Sequence, residues 1–235
     1  MIARQKSALF LLLLYWPGIF VLTHITVPLY MLRQLQASDK ALHFLVYFVL
    51  IFLLWYSVSS FDKPDWKKKT IWIVFGSLLI YAAADEWIQG LAPGRTRDLV
   101  DFLANLAGLS SGLFLLSIFS FHPAVLIASA ASIVLFTNAV KIQFTGQLAF
   151  IRPLFLLSSF GFFTFFWNKF LSLYLSKRLS GFKYSLLSAA VPFFFILLVK
   201  FLSQLTGRAF ETMDFVLSAV AVSAAILLIF LAKKT

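Results

Sequence analysis

Apolar residues run through this chain in eight blocks of about twenty, each closed by a short polar segment. The blocks are approximately Ser7–Val27, Ala41–Phe61, Ile71–Leu91, Asp101–Ser120, Ala124–Ile142, Pro153–Leu175, Tyr184–Leu205 and Phe215–Ala232. About twenty apolar residues are what a helix needs to cross roughly 30 Å of hydrocarbon. The pattern therefore predicts an all-α fold, a polytopic transmembrane bundle of about eight helices. Between Phe102 and Val140 no charged residue occurs, and the turn Ser120-Phe121-His122-Pro123 divides that run into two helices. The first block follows Arg4 and Lys6 as a signal peptide would, but no small-x-small cleavage site comes after it, so a helix of the mature protein is expected.

Composition agrees with the pattern. Hydrophobic residues make up 61% of the chain and charged residues 12%, half of what a soluble surface uses. Without cysteine there is no disulfide, no Cys-ligated zinc and no Cys nucleophile. The formal charge of +11 is carried by short loops between apolar runs, which points to membrane lipids as partners and not to nucleic acid. With the N-terminus inside, twelve Lys and Arg fall at inner ends and eight at outer ends, and the dense Lys67-Lys68-Lys69 cluster lies inside. Both termini are then cytoplasmic, in a cell membrane. Seven of the nine acids, all but Asp62 and Asp65, fall at outer ends.

The informative residues converge at those outer ends. Asp85 and Glu86 lie about 21 Å along the third helix from Ile71, still within the outer leaflet. A carboxylate near the middle of a membrane helix costs roughly 2.5–3.5 kcal/mol, so two adjacent ones need a cation, protonation or water. Gln89 follows one turn on, and Pro93-Gly94 ends the helix just before Arg95. Asp98, Asp101 and Asn105 share one face of the fourth helix, with Gly108 and Gly112 near that stripe. On the second helix Asp39, His43 and Tyr47 recur at every fourth position, beside Lys40. Each has a plain explanation alone, as a packing histidine, an interfacial tyrosine or a snorkelling arginine. Their convergence makes a binding pocket the stronger reading.

These residues carry a family resemblance. Asp39-Lys40-x-x-His43-Phe44-x-x-Tyr47 is similar to the opening motif of the VanZ-like family. Asp85-Glu86-x-x-Gln89, Pro93-Gly94-Arg95, Asp98-x-x-Asp101 and Asn105-x-x-Gly108 resemble its later motifs in order and spacing. The family is named for a protein linked to teicoplanin resistance, so the resemblance implies a role in the cell envelope. It carries over no settled activity.

Residues 1–122 are thus expected to form a VanZ-like four-helix membrane domain and residues 123–235 a second four-helix region. The second region reads as a degenerate copy of the first. Gly94-Arg95-x-x-Asp98-x-x-Asp101-Phe102 recurs as Gly207-Arg208-x-x-Glu211-x-x-Asp214-Phe215, and Lys40 and Trp55 fall on Arg152 and Trp167. Four spans per copy would make the repeats parallel; chance likeness between apolar helices is the plain alternative. In the second copy Phe155 faces His43, Ser218 faces Asn105, and Leu198-Val199 faces Asp85-Glu86.

Three classes of function remain. The preferred one is a protein that binds an anionic or lipid-linked envelope ligand, a cell-wall precursor or a glycopeptide, through Asp39, Lys40, His43, Tyr47, Asp85, Glu86, Gln89, Arg95, Asp98, Asp101 and Asn105. An enzyme acting on a lipid phosphate would use His43, Asp85 or Glu86 as acid or base, and a transporter would use the same pocket. A purely structural role for the polar groups is the third class. No cofactor is expected, and no metal, because the cluster offers a single histidine beside arginines.

Overall fold

The computed structural model describes residues 3–24, 29–59, 62–91, 97–139, 150–178, 181–207 and 210–232; for 3–4, 21–24 and 29–38 it describes the backbone alone. Among these residues the chain is all-helical, with eight helices: α1 (Ala3–His24), α2 (Leu29–Val58), α3 (Lys69–Gln89), α4 (Leu99–Ile118), α5 (Phe121–Ala139), α6 (Ile151–Phe170), α7 (Gly181–Leu205) and α8 (Thr212–Ala232). Seven segments, one each in α2 to α8, are long and apolar enough to cross a membrane. The expected first span, Ser7–Val27, runs past α1 into residues outside those described. The protein is thus a multi-pass helical membrane protein.

Most helix boundaries differ from the sequence reading by two or more residues, and two of the differences have a clear physical reason. α2 starts at Leu29 instead of Ala41, because polar residues that cannot sit in hydrocarbon can still continue a helix above it. α5 starts at Phe121, with Pro123 in its first turn, where the missing amide hydrogen has no partner to lose. The break falls at Phe119-Ser120, before the proline and not at it. α6 continues through a π-helical turn, Leu171–Leu175, and a 3-10 turn, Ser176–Arg178.

The chain divides into two compact units, one reaching Ala124 and one running on from Val125. In the first unit α2 packs most closely against α4, with α1 on α2 and α3 on α4. Glycine makes that approach possible: a Cβ on Gly108 would collide with the Phe44 carbonyl oxygen and stand 3.0 Å from the Phe48 amide nitrogen. A Cβ on Gly112 would collide with Ile51. Tyr15 donates to the Val46 carbonyl at 3.1 Å, and Trp16 meets Tyr81 edge-on at 5.0 Å, tying α1 to α2 and α3.

In the second unit α6 packs most closely against α8, with α7 on α8. Its core is apolar: Ile133, Leu156, Phe160, Phe163, Ile196, Val199 and Val222 are buried together. Asn168 accepts from the Ser188 hydroxyl and Trp167 donates to the Leu187 carbonyl at 2.9 Å, linking α6 to α7. Large apolar side chains such as Ile73, Ile80, Phe114, Phe194 and Leu228 are exposed, as lipid-facing positions must be.

Candidate functional site

The first unit buries polar groups where α2, α3 and α4 meet. His43, Asp85, Glu86, Gln89, Asp101 and Asn105 are all buried, and Tyr47 is fully so. Helical spacing accounts for this convergence. On α3 the buried positions are Ile71, Val74, Leu78, Ala82, Asp85, Glu86 and Gln89, so a single stripe changes from apolar to acidic toward the helix's C-terminal end. On α4 the stripe Asp101, Asn105, Gly108, Leu109 and Gly112 changes from polar to small and apolar in the opposite sequence direction. The polar ends therefore share one end of the bundle.

At the rim, Lys40 bridges two carboxylates of α4, Asp98 Oδ2 at 3.0 Å and Asp101 Oδ1 at 3.1 Å. Asp98 also caps α4 by accepting from the Val100 amide at 2.8 Å. That amide, followed by Lys40, holds the Asp98 carboxyl below the usual carboxylate range. Loss of these contacts on acidification would loosen the α2–α4 rim.

Deeper in the bundle a chain of hydrogen bonds crosses all three helices. Asn105 Nδ2 donates to Glu86 Oε1 at 3.4 Å, so its Oδ1 turns toward His43 Nδ1 at 3.0 Å. An acceptor facing Nδ1 requires the proton there, which leaves Nε2 of a neutral imidazole as a lone pair. His43 Nδ1 also stands 3.6 Å from Glu86 Oε1, and Nε2 stands 3.8 Å from Asp39 Oδ1. Beside this chain, Asp85 Oδ2 accepts from Gln89 Nε2 at 3.0 Å and from the Tyr47 hydroxyl at 3.4 Å. Glu86 Oε2 is buried and has no hydrogen-bond partner among the described residues.

The structure thus brings together ten of the eleven residues expected to bind ligand; Arg95 lies outside the described residues. Two further side chains belong to the neighbourhood. Tyr81, one turn before Asp85 on α3, buries its hydroxyl and sets its ring 6.0 Å from that of Tyr47. Its four-residue spacing from Asp85 is a signal the sequence offered. Arg97 lays its guanidinium 3.9 Å over the Trp87 ring and fills the space beside Gly90, where a Cβ would collide with it.

The fold and this cluster define a multi-pass helical membrane protein with a polar site enclosed by its second, third and fourth helices. Residues 5–120 match the VanZ/LLP1 family, and this part of the chain belongs to it. An uncharacterized protein of Schizosaccharomyces pombe is similar, 38% identical over 80 residues, which cover 33% of this chain and 46% of that protein. The chain therefore spans about half the length of that curated relative. No solved structure matches the chain.

Proposed function

We propose that the VanZ/LLP1 domain binds an anionic, lipid-linked ligand of the cell envelope in this cluster. The pocket opens to the outer face of the cell membrane, and both termini are cytoplasmic. The observation that carries the reading is the buried chain His43–Asn105–Glu86 with Asp85 and Gln89 beside it. Packing alone gives no reason to place two carboxylates inside a membrane bundle, where each is costly. Arg97, laid over Trp87, supplies positive charge beside the cluster, and Arg95 is expected from the sequence to add to it. The ligand's lipid part runs along the apolar outer surface of α3 and α4, where Ile80, Leu99 and Leu103 are exposed. A similar protein in a yeast favours a lipid-borne group over a ligand peculiar to bacterial walls. Glycopeptide (teicoplanin) tolerance then follows from an altered supply of that lipid.

The enzyme reading draws on one observation, a Glu86 carboxylate that stands beside an imidazole and keeps one oxygen without a partner among the described residues, an arrangement suited to proton transfer. Envelope lipids from cells with the intact gene, a deletion and a Glu86→Gln allele separate the readings. A binding protein shifts the amount of one lipid phosphate, whereas an enzyme makes a substrate accumulate and a product disappear. Identical lipid profiles in all three strains would remove both. The topology is tested by single cysteines at Lys68, Ser180 and Thr96: an impermeant thiol reagent should reach the last alone in intact cells. Labelling at position 68 would invert the orientation.

A further inference from the structure

We infer that Asp39, His43 and Asp101 form a binding site for a divalent first-row cation of the Mn2+ or Zn2+ class, with Glu86 and Asn105 orienting the histidine. The donor atoms of the three residues lie within 4.8 Å of one another. His43 Nε2 and Asp39 Oδ1 are 3.8 Å apart, too far for a hydrogen bond. Two donors that share an ion at ~2.0–2.2 Å each stand no more than about 4.4 Å apart, so a small inward rotation of the carboxylates seats all three. One nitrogen and two carboxylates suit a first-row divalent ion better than Mg2+ or Ca2+, which favour all-oxygen sites.

Three independent features point to the same cation. The first is the tautomer: Asn105 Oδ1 faces His43 Nδ1 at 3.0 Å, which directs the Nε2 lone pair toward Asp39. A metal-bound histidine commonly has its other ring nitrogen held in this way, and here Glu86 backs the amide. The second is charge. Asp85, Glu86 and Asp101 are buried at one end of the bundle, while Lys40 is engaged at the rim by Asp98 and Asp101 and Arg97 lies over Trp87. Glu86, 7% exposed, keeps an oxygen with no partner among the described residues. Buried carboxylates in such excess call for a cation. The third is the choice of lysine. In the second unit Arg152 reaches both oxygens of Asp214, whereas Lys40 holds Oδ1 of Asp101. The single ammonium leaves the other oxygen of Asp101 available as a ligand.

The lone histidine led the sequence reading away from metal. The fold adds what spacing could not, an aspartate from α4 beside the Asp39–His43 pair of α2. The site goes beyond the ligand reading and also supplies positive charge to receive an anionic group.

The test uses the purified full chain in detergent micelles, stripped with chelator and titrated with MnCl2 alone under EPR. The expected result is one Mn2+ per chain with nitrogen coupling from one imidazole, displaced by Zn2+. His43→Gln should abolish the nitrogen coupling and weaken binding roughly tenfold or more, while Asp65→Asn, in the exposed loop before α3, changes neither. The wild-type nitrogen coupling reports histidine ligation without any variant, so a misfolded His43→Gln does not decide the matter. No saturable binding up to millimolar Mn2+, bound Mn2+ without nitrogen coupling, or unchanged binding in a folded His43→Gln overturns the site. No envelope ligand is present in the titration, so its failure is distinct from a failure of the ligand reading.

Discussion

The two units share a frame and differ in what the frame encloses. In each, a cation on one helix pairs with an aspartate in the first turn of another: Lys40 of α2 with Asp101, and Arg152 of α6 with Asp214. Below that pair the buried positions of α4 (Asp101, Asn105, Gly108, Leu109) recur in α8 as Asp214, Ser218, Ala221 and Val222, each 113 residues later. On α2, the buried Phe48, Ile51, Phe52 and Tyr56 recur on α6 as Phe160, Phe163, Thr164 and Asn168, each 112 residues later. The buried face of α7, Pro192, Ile196, Val199 and Ser203, follows that of α3 at a shift of 114. That phase sets Val199 against Asp85, one residue away from the sequence-based pairing.

The frame does not need the polar chain. Phe155 stands where His43 would be and stacks on Phe136 at 3.8 Å, and Ser218 turns back to the Asp214 carbonyl at 2.7 Å. Both units pack, yet only the first places carboxylates at Asp85 and Glu86. The comparison sorts the candidate residues. Lys40 and Asp101 have a structural counterpart and serve packing as well as any ligand. His43, Asp85, Glu86, Gln89 and Asn105 have none that keeps their chemistry, so function is the better account of them. We read the halves as diverged repeats, the second retained for its frame.

The largest effect is expected where the frame is tightest. Gly108→Val drives a side chain into the α2 backbone and should cost about 3 kcal/mol or more, seen as loss of monodisperse protein on gel filtration. Ala221→Val, at the matching place on α8, should cost less, because the nearest glycine of α6, Gly161, leaves 4.0 Å between its would-be Cβ and the Ala221 carbonyl oxygen. Equal losses would break the idea that the α2–α4 approach is the closer one.

Asp214→Ala comes next. Asp214 is largely buried and holds both Arg152 and the Glu211 amide, the latter at 2.9 Å. Its loss should cost about 1–3 kcal/mol, below the full value of a buried pair because Arg152 is 39% exposed in its side chain. Thermal unfolding should show the loss while Mn2+ binding by the first unit persists. A variant that binds no Mn2+ despite remaining folded would contradict the separation of frame from site.

The smallest effect sharpens the same contrast. Asn105→Ser installs the residue of the second unit and removes the partner shared by His43 and Glu86. The expected cost is about 1 kcal/mol in stability, together with a wider spread of imidazole geometries in the Mn2+ EPR spectrum. An unchanged spectrum would mean that Asn105 does not orient His43.

Much of this was legible in the chain. Hydrophobic runs of span length located the helices, and helical spacing put Asp39, His43 and Tyr47, or Asp98, Asp101 and Asn105, on shared faces. What spacing could not give was contact between helices. That Lys40 of α2 meets Asp98 and Asp101 of α4, or that Tyr47 reaches Asp85, depends on how far Gly108 lets two backbones approach. The upstream turns of α2 were missed because hydropathy detects the hydrocarbon and not the helix. Tyr81 lies in an apolar run among many aromatics, and only its four-residue spacing from Asp85 marks it.

The central claim, that the first unit binds and the second supports, is tested most directly by mass spectrometry of lipids released from protein purified out of its own membrane. Wild type and Glu211→Gln should carry the same anionic lipid at near-stoichiometric level. Glu86→Gln, His43→Ala and Arg95→Ala should lose it while remaining abundant and monodisperse. If those three first-unit variants retain the lipid, or if Glu211→Gln loses it as they do, the account is wrong.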